Sequence, residues 1–196
     1  LDDTYVYTAP LTAEVLEIDV TTEGWGRITE KASGGATLQT DTFTRFKAVE
    51  IDATGGVDDD TVKLLESLAT VATNGLETLS IKTGAGADTI DFSALAKADQ
   101  FVKVTIDAGT GSDTFKAPKG DNTFDVTGAG AGAVDSIAFG GVESLVANSG
   151  SDQFCLGPTA VISITGGGGS DTIFGADIAA GVDWQISAAD AGDATA

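Results

Sequence analysis

One short phrase recurs along this chain and dictates where its backbone must turn. The fullest copy is Gly166-Gly167-Gly168-Gly169-Ser170-Asp171-Thr172-Ile173-Phe174. Thr83-Gly84-Ala85-Gly86-Ala87-Asp88-Thr89-Ile90 and Ala108-Gly109-Thr110-Gly111-Ser112-Asp113-Thr114-Phe115 keep the same order. Residues 55–62, with Asp58 where the later glycine would stand, and 148–154, with one glycine, are weaker copies, and Gly120-Asp121-Asn122-Thr123-Phe124 has Asn in place of Asp. Glycine reaches the φ > 0 conformations that tight turns need, and Asp can bond its own turn backbone. Before most copies lies a short alternating stretch: Val49-Glu50-Ile51, Leu79-Ser80-Ile81, Val102-Lys103-Val104-Thr105-Ile106 or Ile162-Ser163-Ile164. Period-two alternation bounded by glycine reads as a short strand. The repeating unit is therefore strand, Gly/Asp turn, and a second strand opened by the apolar residue after the turn.

A unit of this size cannot bury its apolar face alone, so copies must stack on one another. The sequence predicts one all-β unit over residues 1–196, a parallel β-helix or β-roll solenoid with a continuous Val/Ile/Leu/Phe interior. The phrase Asp residues stand at 60, 88, 113, 152 and 171, with Asn122 between, so the intervals are uneven. Short helical inserts would explain the long ones. Thr61–Ala72 sets Leu64, Leu65, Leu68 and Val71 on one helical face with Gly75 beyond as a stop, and residues 93–99 suit a shorter helical turn. A second phrase, Phe46-Lys47-Ala48-Val49-Glu50-Ile51, is echoed by Phe139-Gly140-Gly141-Val142-Glu143-Ser144-Leu145. Leu76-x-x-Leu79-x-Ile81 keeps a leucine-rich-repeat-like solenoid as the second fold reading. Asp2-Asp3-Thr4-Tyr5-Val6 and Gly192-Asp193-Ala194 read as fragments of the same phrase, so the chain is expected to be a slice of a longer array.

Charge narrows the partners. Lys and Arg number 10 against 30 acids, a formal charge of −20. A nucleic-acid binder needs a basic stripe, and anionic membranes repel the same charge. No apolar run approaches the roughly 20 residues of a membrane-inserted helix. Asp outnumbers Glu 22 to 8, yet 42% of residues are apolar. That pairing suits a buried β interior with many turns rather than a disordered acidic tail. With no His and a single Cys, the usual zinc, iron and copper ligand sets and His-based catalysis are missing. Any metal must be hard and oxygen-bound, meaning calcium or magnesium. Cys155 reads as a small apolar filler beside Phe154 and Leu156.

Stacking gives the acids their meaning. Neighbouring parallel strands lie about 4.8 Å apart, so equivalent Asp residues on adjacent coils would sit roughly 5 Å from one another. Each such pair repels by about 0.8 kcal/mol in water and about 3 kcal/mol at an effective dielectric of 20. A shared divalent ion reverses the sign. The alternative is metal-free Asx-type turns.

The phrase resembles the glycine-rich nonapeptide of the repeats-in-toxin family, G-G-x-G-x-D-x-U-x. Residues 166–174 fit every specified position, and residues 83–90 and 108–115 lack only the first Gly. The resemblance implies a parallel β-roll whose turns bind Ca2+. Asp171, Asp88 and Asp113 would be the foremost carboxylate ligands, followed by Asp60 and Asp152. Gly167, Gly169, Gly84, Gly86, Gly109 and Gly111 would shape the metal-binding turns. The family runs its nonapeptides in tandem; here they are isolated, apart from the Asp113/Asn122 pair. Metal is therefore expected along at most one edge. More loosely, the chain is similar to repeat regions of bacterial S-layer proteins and adhesins.

The expected function is a calcium-binding structural segment of a secreted bacterial cell-surface protein, self-associating into a filament, lattice or matrix. A second reading is an adhesive module for polysaccharide or a host surface, with Trp25 as a stacking residue. A polysaccharide-modifying enzyme comes last. Asp58-Asp59-Asp60 is better read as a turn than as catalytic acids, and Arg27 and Arg45 are the chain's only arginines. No reaction is expected of it.

Overall fold

A computed structural model describes residues 4–9, 14–20, 26–32, 34–43, 46–65, 75–96, 102–160 and 162–175. Among them there are strands and turns but no helix. The strands are β1 (Thr4–Thr8), β2 (Glu14–Val20), β3 (Gly26–Ala32), β4 (Thr37–Phe43), β5 (Ala48–Asp52), β6 (Thr61–Leu64), β7 (Thr78–Lys82), β8 (Ala85–Gly86), β9 (Thr89–Asp91) and β10 (Lys103–Asp107). They continue as β11 (Thr110–Gly111), β12 (Thr114–Lys116), β13 (Thr123–Gly128), β14 (Ala131–Val134), β15 (Ile137–Gly140), β16 (Ser144–Val146), β17 (Gln153–Leu156), β18 (Ser163–Thr165) and β19 (Thr172–Gly175).

Two large sheets result. The first runs β1-β5-β7-β10-β15-β14-β13-β17-β19, and the second β18-β16-β12-β9-β6-β2-β3-β4. From β5 onward the chain crosses repeatedly from one sheet to the other, so successive strands within a sheet mostly pair in parallel. Register aligns like with like. Val49, Leu79, Val104 and Ile137 form one inward row of the first sheet, and Ile51, Ile81, Ile106 and Phe139 the next. Leu16, Val62, Ile90, Phe115, Leu145 and Ile164 form the facing row of the second. Every other residue on each strand points inward, and these rows belong to a single apolar core. Phe92 meets Phe115 edge-on at 5.4 Å, and Phe124 stacks on Phe154 at 4.4 Å.

Two antiparallel meanders interrupt the parallel pairing, and nothing in the repeat phrase foretells them. β13-β14-β15 widens the first sheet between β10 and β17. β2-β3-β4 extends the second sheet and reaches across one end of the core. There Phe43 of β4 stacks on Tyr5 of β1 at 5.7 Å, and buried Tyr7 donates its hydroxyl to buried Glu30 of β3 at 2.8 Å.

The helix expected at Thr61–Ala72 is corrected at its start. Residues 61–64 form β6, which pairs in parallel with both β2 and β9. Alternation of Thr61 and Lys63 with buried Val62 and Leu64 suits a strand between two partners, and that pairing overrides local helix propensity. Residues 93–96 form a turn rather than a helix. Residues 66–72 and 97–99, along with Trp25, Arg45, Trp184 and residues 192–194, lie outside the described residues.

Candidate cation-binding columns

The Gly/Asp phrases become the turns between the sheets, and they divide between two sides of the molecule. Where the chain leaves the first sheet for the second, the turns end at Asp60, Asp88 and Asp113. Where it returns, they end at Asn122, Asp152 and Asp171. The expected single edge is therefore corrected: Asp171 does not share a column with Asp88 and Asp113. The switch occurs between Asp113 and Asn122, where the three-residue β12 is the only strand. One turn leads into β12 and the next leads out on the opposite side.

Close stacking requires the glycines. Gly109 has φ +89°, and a Cβ there would overlap the Gly84 carbonyl on the neighbouring turn. Gly169, with φ +121°, would likewise overlap the carbonyl of Gly150. Left-handed backbone and close approach both select glycine, with or without a metal.

Each phrase acid then bonds the turn before it. On the first side the Asp60 N–H donates to Asp88 Oδ1 at 2.7 Å, the Asp88 N–H to Asp113 Oδ1 at 2.8 Å, and the Asp113 N–H to Glu143 Oε2 at 2.9 Å. On the second side the Asn122 N–H donates to Asp152 Oδ1 at 2.8 Å, and the Asp152 N–H to Asp171 Oδ1 at 3.1 Å. Exposed acids add outer rungs, with Asp59 accepting from the Ala87 N–H and Asp121 from the Ser151 N–H, each at 2.7 Å.

These bonds satisfy one carboxylate oxygen and leave the other. Asp88 is 1% exposed, and Asp113 and Asp152 are fully buried. Among the described residues, Oδ2 of all three has no hydrogen-bond partner, and neither has Oδ1 of buried Asn122. Burial pushes the Asp113 carboxyl above its ordinary range, with the charges of Asp88 and Glu143 adding to the rise and the Asp88 N–H opposing it. Asp152 is raised the same way, by burial first and then by Asp171 and Asp121, against the bonds from Asn122. A buried, half-satisfied carboxylate is costly unless something positive meets its second oxygen. Among the described residues no three acidic, thiol or imidazole groups converge as a ready-made metal cluster. A cation here would take carboxylates from adjacent rungs and complete its shell with turn carbonyls, a mixed set that suits calcium.

Glu143, Asp59 and Asp121 were not singled out from the sequence. Glu143 was legible: Gly141-Val142-Glu143-Ser144-Leu145 repeats the glycine, acid, hydroxyl, apolar order with the longer acid. Comparison with protein-family models, curated proteins and solved structures finds no match to this chain.

Proposed function

We propose that this chain is a calcium-stiffened parallel β-solenoid, a structural repeat segment of a secreted bacterial cell-surface protein. One observation carries the reading: buried Asp88 and Asp113 occupy consecutive rungs, each with an unpartnered carboxylate oxygen. At roughly 5 Å and an effective dielectric of 20, their charges repel by about 3 kcal/mol, and a divalent ion turns that term favourable. An ion bound only by the native state at a hundred times its Kd adds about 2.7 kcal/mol of stability. Extracellular calcium modules bind in the roughly 0.1–1 mM range, so such an ion would be held outside a cell and lost inside it. Asp60, Asp88 and Asp113 are the ligand candidates on one side, and Asp152 and Asp171 on the other. Self-association into a filament or lattice belongs to the same reading. Because β3 and β4 lie over one end of the core, stacking of copies through that end is disfavoured.

Thermal unfolding in calcium and in excess chelator tests this. The melting temperature should fall on chelation, and Asp113→Ala should abolish most of that response. Superimposed wild-type curves in the two conditions would sink the calcium reading.

A further inference from the structure

Asn122 stands in a column otherwise built from acids, and its side chain does something no carboxylate can do. Its Nδ2 donates towards Gly120 O at 2.8 Å, Pro118 O at 3.0 Å and Asp152 Oδ1 at 3.1 Å. Three oxygens, two carbonyl and one carboxylate, thus converge on a single buried nitrogen. Convergence of turn carbonyls and a carboxylate on one point is the donor arrangement a hard cation requires. The reversed amide would set Oδ1 against the same three acceptors, so the network fixes its orientation. A second amide reinforces the turn, since Asn148 Nδ2 donates to the Ala117 carbonyl. Carbonyls 117, 118 and 120 of one turn therefore all receive amide protons. The rung also holds a single carboxylate, Asp152, where Asp88 and Asp113 place two together.

We propose that the Asn122 amide takes the place of a cation, making the 117–122 turn a metal-independent rung in an otherwise calcium-dependent array. This rests on the reading above in taking calcium as the cation that the acid rungs recruit. The turn that begins the second side would then hold its shape before metal arrives. Because Asn122 and Asp113 flank the same three-residue strand β12, it would also hold one end of the pass whose other end awaits calcium.

The test is a calcium titration by calorimetry on the wild type, Asn122→Asp and Asn122→Ser, with Asp113→Asn as reference. N122D should gain a calcium relative to the wild type, because a carboxylate now faces Asp152 and two uncompensated carbonyls. N122S should keep the wild-type count. An unchanged count in N122D, or a calcium lost in N122S, would overturn the proposal. A wild type that binds no calcium while N122D binds one would retire the functional reading, and with it the calcium-dependent array, and leave standing only the substitution of the Asn122 amide for a cation. If N122D folds in neither calcium nor chelator, hydrogen exchange on the wild type decides. Amides of residues 119–124 should keep their protection in chelator while those of 84–90 and 109–114 lose it. Equal loss in both turns would overturn the proposal.

Discussion

The two sides of this molecule use the same turn with different chemistry between the rungs. On the side of Asp60, Asp88, Asp113 and Glu143, every member of the column is an acid, and each carboxylate from Asp88 onward receives the N–H of the rung before it. On the side of Asn122, Asp152 and Asp171 the column opens with an amide whose nitrogen donates where the acids can only accept. Glycine stacking is common to both, so glycine sets the turn shape. The residue at the phrase's acid position sets what the turn needs to be stable. An amide supplies its own protons; two buried carboxylates must find positive charge elsewhere.

The largest expected effect removes the comparison altogether. Phe115 lies on β12 between the two kinds of turn, fully buried against Phe92 and Phe139. Phe115→Ala should lose about 3–5 kcal/mol, as large-to-small core changes do. Hydrogen exchange should rise on both sides together; softening of one side alone would mean that β12 does not link them.

A smaller effect sharpens the contrast through pH. The folded pKa of Asp113 lies above its unfolded value, so its contribution to stability is fully present below the unfolded pKa, near 3.9. That contribution is lost as pH rises through the raised folded value. Asp52 and Asp91 are held low, chiefly by bonds from Thr54 for Asp52 and, against its own burial, by bonds from Ser93 for Asp91, and they pull the opposite way as pH falls. The informative quantity is therefore the difference between the wild type and Asp113→Asn. In chelator, acidification from neutral pH should favour the wild type over D113N. In calcium the trend should reverse, because protons then compete with the metal. A difference that ignores pH would remove Asp113 from the account.

The smallest effects should match across the sides. Asp59 and Asp121 are exposed, and each caps an N–H that water can reach. Asp59→Ala and Asp121→Ala should each change stability by about 0.5 kcal/mol or less in denaturant unfolding. A large loss in either would mean that the outer rungs share the load of the inner ones.

Much of the local structure was legible. Alternation in Val49-Glu50-Ile51, Leu79-Ser80-Ile81 and Ile162-Ser163-Ile164 coincides with β5, β7 and β18, and the phrase glycines fall in the connections, where Gly86 and Gly111 pair through the two-residue strands β8 and β11. Segment 61–64 is ambiguous because Leu64 serves both periods, with Val62 as a strand residue and with Leu65, Leu68 and Val71 as a helical one, and only strands on both flanks decide between them. The columns were half legible. Asp88 and Asp113 do lie on consecutive rungs, but Asp171 belongs to the other side and Glu143 fills the slot beyond Asp113.

The sequence by itself determined the unit: two short strands joined by a turn that only glycine can make, closed by an acid. Steric limits on φ and the alternation of strand side chains act within a few residues, so they can be read locally. Which turn lies on which only the tertiary structure decided. Stacking partners here are 19 to 30 residues apart. A turn's side depends on how many times the chain has crossed between the sheets before reaching it, and that count is settled by pairing across the whole core.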